Sequence, residues 1–213
     1  MSPRRAKALD GRVGEDPAAA LREALVDAAE QLLAEAPISA VTTRDIARRA
    51  GVSDGVLYNY FEDKTDLILA ALVRRYDRLA ARFDAVTMEA GVGGVEENLE
   101  NFAGAWLEML IEAMPTVAGL LTEPLLLHRL FDRIHRQPNG PQYQQRRIVE
   151  YLAGEKRLGR LSAQADLAAV ATLITGAAVV MAIVSLLGPT ADGTATSARG
   201  QPGVATLMSG LHP

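Results

Sequence analysis

Apolar residues recur at three- and four-residue intervals along most of the chain, and no alternating strand pattern stands out. Leu21, Leu25, Ala28 and Leu32 form one stripe. Asp16 and Pro17 precede it in the order that starts a helix, a capping carboxylate and then proline at the first helical position. Pro37 stops that helix. Two short helices are predicted next, over 42–50 and 53–60. Another opens at Asp63, with Asp66 three residues on as a carboxylate capping box, and carries the stripe Leu67, Ala71, Leu72, Leu79 and Phe83. The Ala-Gly-Val-Gly-Gly run at 90–94 is the first clear break, so a domain boundary is expected between Phe83 and Glu96. Beyond it, 97–114 carries apolar residues at Leu99, Phe102, Ala103, Trp106 and Leu110. Pro115, Pro124, Pro138 and Pro141 are expected to cut the next stretch of chain into shorter helices, one of them over 143–154 and ended near Gly159. Residues 166–187 are almost wholly apolar, 188–203 read as a mobile loop, and 204–211 suit a last short helix. The expected fold class is all-α: an arm over 1–16, a three-helix N-terminal domain over 17–83, and a helical C-terminal domain over 84–213.

Within the first domain, residues 42–61 have the spacing of a helix-turn-helix. Thr42 suits a cap on the first short helix, with Asp45 at its third position. Ile46 and Ala50 point inward, and Ala47 is small where a second helix must cross closely. Gly51 takes the left-handed conformation that ends a helix, and Val52 plugs the turn. Ser53 is expected to cap the second helix, whose inner face is Val56, Leu57 and Phe61 or Tyr60. Such a pair presents its second helix to a DNA major groove. The bland alternative is a structural hairpin in a helical small-molecule-binding protein or enzyme.

Charge changes this picture only slightly. The net charge is −4, which excludes a wholly basic nucleic-acid binder. The negative balance falls on the C-terminal part, and the segment from Val41 to Lys64 is balanced, so any DNA contact must come from placement rather than bulk charge. The chain has no cysteine, which excludes disulfides and thiolate metal sites. The first residues carry Arg4, Arg5, Lys7 and Arg12 with no apolar run behind them, unlike a secretory signal. They suit an arm on phosphates or in a minor groove, or a solubilising tail.

The run from Thr42 to Lys64 (a Thr-Thr-Arg entry, Ile-Ala-x-x-Ala-Gly-Val-Ser, Leu-Tyr-x-x-Phe and then Lys) resembles the DNA-binding domain of the tetracycline-repressor-like (TetR) family of bacterial regulators. The rest of the chain is similar in pattern only. The resemblance implies a cytoplasmic, nucleoid-associated, homodimeric regulator, a repressor with no enzymatic activity and no cofactor. Its partners would be a pseudo-palindromic DNA operator and a largely apolar small-molecule effector. By resemblance Thr42, Thr43 and Arg44 sit near phosphates and base edges. Ser53, Asp54, Gly55 and Val56 open the recognition helix, Tyr58 and Tyr60 reach phosphates, and Lys64 with the amides beside it binds a phosphate. Tyr60 stands where the family often has His. Asp54 either accepts from a cytosine amino group or is a first-turn acid favoured by the helix dipole.

Candidates for the effector pocket are Phe102, Trp106, Met109, Leu110, Met114, His128, Phe131, Tyr143, Arg147 and Tyr151, a set of aromatic, Met and polar residues suited to an apolar pocket with a few oriented polar groups. Core packing is the competing reading for each. The dimer contact is expected through residues 166–187, from Asp166 to Leu187, and 204–211, from Val204 to Leu211, with Ala168, Ala171, Gly176 and Ala178 letting a partner approach. The apolar stretch is long enough to span a bilayer but has no Trp or Tyr at its ends and no flanking Lys or Arg, so no membrane is expected. The Gly-x-Ser-x-Gly at 51–55 lacks the preceding strand of a nucleophile elbow. His128, Asp132 and His135 lie at helical spacings but lack further ligands nearby, so no metal site is expected.

Overall fold

The computed structural model describes residues 16–138 and 140–188, together with Val204 and Ser209. The arm before Asp16, the loop at 189–203 and most of the terminal helix at 204–211 lie outside the described residues. The described chain is helical: α1 (Pro17–Glu35), α2 (Thr43–Ala50), α3 (Lys64–Asp84), α4 (Val95–Leu120), α5 (Pro124–His135), α6 (Pro141–Arg157) and α7 (Leu167–Leu186), with 3₁₀ turns at Ile38–Ala40 and Asp54–Asn59.

The helix starts reflect the local chemistry. The Asp16 carboxylate accepts from the Ala18 amide at 3.1 Å, with Pro17 at the first position of α1. Asp63 accepts from the Asp66 amide at 2.7 Å. Asp166 accepts from the amides of Ala168 and Ala169 at 3.1 and 3.0 Å. One stop is absent. Pro115 lies inside α4, which continues to Leu120. A proline frees the carbonyl four residues before it. That residue is Ile111, on an exposed face where water can satisfy the oxygen, while Met114 and Leu120 anchor the helix inward.

The chain divides into two compact units, the first up to Tyr76 together with Gly119–Phe131, the second Asp77–Ala118 together with the chain from Asp132. The first unit thus closes seven residues before the expected boundary at 83 and takes in a stretch from the C-terminal half. Its core is Leu25, Val26, Ala28, Ala29, Val41, Ile46, Leu57, Phe61, Leu67 and Ala71. Arg74 of α3 clamps α1 through Glu23, Asp27 and Glu30 at 3.0, 2.6 and 2.9 Å, three acids one helical turn apart. In the second unit α6 packs on α7. Val170, Ala171, Ile174, Ala178 and Ala182 turn inward from α7 and are buried. Ala171 and Ala178 therefore face the chain's own core. The cause is a helix apolar all round, which has no polar face to say which side turns in.

Candidate functional site

The turn at 42–61 is built from local bonds. The Thr42 hydroxyl accepts from the Asp45 amide at 3.1 Å and donates to the Asp45 carboxylate at 2.6 Å. That hydroxyl bond, and then Arg48 at 2.5 Å, holds the Asp45 carboxyl below the usual carboxylate range. Gly51 ends α2 at φ 72, and the amides of Gly51 and Val52 turn back to the carbonyls of Arg48 and Ala47. Leu57 and Phe61 are buried against Ile46 and Ala50, and Val52 and Tyr60 pack at their edge.

The second helix differs from the expected α-helix at 53–60. It is a six-residue 3₁₀ turn, Asp54–Asn59, and Ser53 makes no side-chain cap bond. The two facts have one cause. The Val56 amide, which a capping hydroxyl at Ser53 would reach, already donates to the Ser53 carbonyl at 3.0 Å. Six residues are also too few to repay α-helix nucleation on their own.

The outward face of this turn carries Arg44, 80% exposed, beside Asp54, with the ion pair at 3.6 Å. Exposed pairs of this kind contribute about 0–1 kcal/mol, so Asp54 leaves Arg44 free to be drawn away by a stronger anion. Tyr58 is 60% exposed, whereas Tyr60 leans on the core, so the two tyrosines part company. Thr42 and Gly55 are exposed, and Thr43, Val56 and Lys64 are half-buried. A Cβ at Gly55 would meet nothing within 4 Å. Lys64 is the first residue of α3, where Asp63 has taken one of the amides expected to face a phosphate, that of Asp66. Arg49 is turned to Glu35 in a two-bond pair at 2.9 and 2.7 Å, which ties α2 to the end of α1. Arg48 joins the site although the motif alone does not single it out. It is exposed, one turn from Arg44, and the four-residue spacing is the signal that points to it.

The second unit carries a polar interior. Arg147, largely buried, lies over the rings of Phe83 and Phe102 at 5.1 Å each and of Tyr143 at 5.7 Å, and meets Asp84 at 3.5 Å and the Val86 carbonyl. Its charge is thereby accounted for within the chain. Tyr151 accepts from Asn98 at 2.9 Å. Burial, with the Glu155 carboxylate nearby, pushes its phenol up to about 12. Glu155, fully buried, accepts from the Gly91 amide at 3.2 Å and pairs with Arg160 at 3.1 Å, which pins the glycine-rich loop at 90–94. Among the described residues, the buried atoms without a hydrogen-bond partner are the Trp106 indole N–H, the Gln137 carboxamide oxygen, both polar atoms of the Gln144 carboxamide, and Glu155 Oε2, which has only its ion pair with Arg160. Each unmet group costs about 1–3 kcal/mol. Beside Trp106, a cleft of about 160 Å³ is lined by Leu79, Phe83, Val86, Ala105 and Met109, with Arg82 and Glu112 paired at 2.8 Å across its rim.

Residues 25–71 match the bacterial regulatory proteins of the tetR family. This segment belongs to the TetR family. The chain is similar to the transcriptional repressor KstR of Mycolicibacterium smegmatis, 29% identical over 113 residues, which is 53% of this chain and 54% of that protein. The regulator AlkX of Mycobacterium tuberculosis is 35% identical over 105 residues, 49% of this chain and 48% of that protein. The chain thus spans about half the length of the curated relatives it matches. Among solved structures, a TetR-family regulator from Mesorhizobium loti superposes with a TM-score of 0.68 over 93% of this chain and 100% of that one, at 14% identity. The flavonoid-responsive regulator FrrA gives 0.60 over 91% and 97%, at 22% identity. At such identities these two show the fold alone.

Within this TetR-type fold the ten pocket candidates separate. Phe102, Trp106, Met109, Leu110, Met114, Tyr143, Arg147 and Tyr151 lie in the second unit, whereas His128 and Phe131 belong to the first and are exposed. Met109 lines the cleft; Arg147 and Tyr151 are committed to partners of their own. Of the residues with unmet buried atoms, Trp106 is among the candidates and Gln144 is not; a lone glutamine in a helix carries no signal in the sequence.

Proposed function

We propose that this chain is a homodimeric, effector-controlled transcriptional repressor, acting in the cytoplasm on nucleoid DNA. The observation that carries the reading is the outward face of the 42–64 turn. There Arg44, Arg48 and Tyr58 project from a rigid core beside the exposed backbone of Gly55, and Lys64 opens α3. Arginine and tyrosine hydroxyl groups at this spacing suit phosphates and guanine edges. The regulator names of the relatives support it. Arg44 would exchange Asp54 for DNA on binding, and Thr42, Thr43, Ser53, Asp54, Val56 and Tyr60 would lie against the backbone and groove.

The dimer reading is supported by α7. Leu173, Gly176, Val180, Ile183 and Leu187 repeat at intervals of three and four, the spacing of a helix–helix seam, and are exposed in the single chain. The helix is also long and apolar enough to cross a membrane, with 28% of its most apolar window buried. The glycine in the middle of this stripe leaves room for a partner helix to approach closely. Residues 204–211 would complete the contact. An effector held in the second unit would act through α3, one helix common to both units. It would change the separation of the two recognition turns from the roughly 34 Å that successive major grooves require.

The test is a gel shift with DNA flanking the chain's own gene. Expected is salt-sensitive, sequence-selective binding, lost in Arg44→Ala and Tyr58→Ala variants that keep their melting temperature. Binding that is absent, or unchanged in both variants, overturns the reading in favour of a structural hairpin. Recovery of the chain only in detergent would overturn the dimer reading of α7.

A further inference from the structure

Arg44 and Asp54 open the two helical pieces of the 42–61 turn, Arg44 as the second residue of α2 and Asp54 as the first of the 3₁₀ turn. Both side chains stand out in solvent, with Nε of one 3.6 Å from Oδ2 of the other. Among the described residues neither has a second charge partner. The neighbouring arginines are engaged elsewhere, Arg48 with Asp45 and Arg49 with Glu35. Gly55 follows Asp54, and the space where its Cβ would stand is open. A carboxylate on a surface that meets phosphates loses affinity unless it accepts a hydrogen bond there. The helix dipole does not account for this one. Six residues of 3₁₀ turn align few peptide units, so the field at Asp54 is much smaller than at the start of a full α-helix.

We propose that Arg44 and Asp54 together read one G·C base pair in each operator half-site, Arg44 the guanine and Asp54 the cytosine. The inference rests on the reading of this turn as the DNA-contacting element. Along the major-groove edge of a G·C pair lie two acceptors, guanine N7 and O6, and then a donor, the cytosine amino group. A guanidinium beside a carboxylate offers the complement in the same order, two donors and then an acceptor. The spacing agrees as well. Guanine O6 and cytosine N4 are the partners of one Watson–Crick hydrogen bond, about 2.9 Å apart. The two charged groups stand 3.6 Å apart. On binding, each side chain exchanges the other for a base edge. Exposed ion pairs contribute little, so the exchange costs little. An A·T pair fits less well. Its edge runs acceptor, donor, acceptor, so a carboxylate on the adenine amino group lies beside the thymine O4, acceptor against acceptor. Asp54 is thereby the residue that restricts this position to G·C.

The experiment selects double-stranded DNA from a randomised library, once with the full wild-type chain and once with its Asp54→Ala variant. Expected is a two-fold symmetric consensus in which one G·C position of each half-site loses preference in the variant while the other positions keep theirs. The variant should melt with the wild type, since the side chain is exposed. Two base analogues then probe that position in the wild-type consensus. In a duplex, 7-deazaguanine lacks the N7 acceptor, and N4-methylcytosine carries a methyl group in place of the groove-facing amino hydrogen. Each should weaken the wild-type chain about ten-fold. The first should weaken Asp54→Ala equally, and the second should leave Asp54→Ala unaffected. Uniformly tighter binding of all sequences by Asp54→Ala overturns the proposal and makes Asp54 a repulsive acid. A wild-type preference for A·T at the affected position, or indifference to 7-deazaguanine there, overturns it too. A library that yields no consensus sinks the regulator reading and this inference with it; a consensus that Asp54→Ala leaves unchanged sinks this inference alone.

Discussion

Gly176→Ala separates what a helix gains alone from what a dimer loses. Gly176 is exposed in the middle of α7, and a Cβ there would meet nothing within 4 Å. In a single chain the methyl group should therefore stabilise α7 by about 1 kcal/mol, the helix-propensity difference between glycine and alanine. Gly104 in α4 has the same open surroundings and provides the control. At roughly 2–4 °C per kcal/mol for a chain of this size, Gly104→Ala should melt a few degrees higher. If two α7 helices cross at the seam of Leu173, Gly176, Val180, Ile183 and Leu187, the same methyl group overpacks the crossing. Overpacking costs about 1–3 kcal/mol per site, and symmetry supplies two sites. A total of about 2–6 kcal/mol raises the dimer Kd by about 30-fold to about 20,000-fold. Sedimentation velocity over a concentration series measures the Kd, and thermal melts of both variants measure the folding gain. A Gly176→Ala protein with unchanged Kd and the same raised melting temperature as Gly104→Ala would refute a crossing at this glycine.

The site and its support give three further expected outcomes. Gly55→Ala should leave the melting temperature unchanged or slightly raised, since its Cβ meets open space, and weaken operator binding at least ten-fold; equal affinity in a gel shift would mean that DNA does not approach this backbone. Thr42→Ala should cost about 1 kcal/mol in urea unfolding through loss of the cap. It should also flatten the acid limb of stability, because the lowered Asp45 pKa gives stability that is present above its unfolded value and lost as pH falls through the folded one. The Tyr151 phenol works in the opposite sense. Its folded pKa of about 12 exceeds the ordinary 10.0, so the unfolded chain releases the proton first and stability falls as pH rises between these values. Tyr151→Phe should remove that limb in melts taken across the window.

Much of this protein was legible along the chain because it depends on residues within one helical turn. Asp16, Thr42 and Asp166 cap helices whatever lies beyond them, and Gly51 must take a left-handed conformation to let α2 end. The stripes of α1 and α3 name their own buried faces. Asp54 is a middle case: its place at the start of the turn was readable, its pairing with Arg44 was not. Pro115 ended nothing, since whether a freed carbonyl is tolerable depends on which side of the helix meets water.

Three matters belonged to the tertiary structure alone. α7 is apolar on every side, so only packing could turn Ala171 and Ala178 inward and leave Gly176 and Val180 outside. Arg147 looked like a charge awaiting a ligand until Asp84, Val86 and three rings were brought to it from distant positions. Gln144 looked ordinary until burial removed its water and supplied nothing in return. Periodicity and capping are set by near neighbours and so are written in the sequence. Whether a polar group is satisfied depends on which residues fold beside it, and that becomes definite only when the chain has packed.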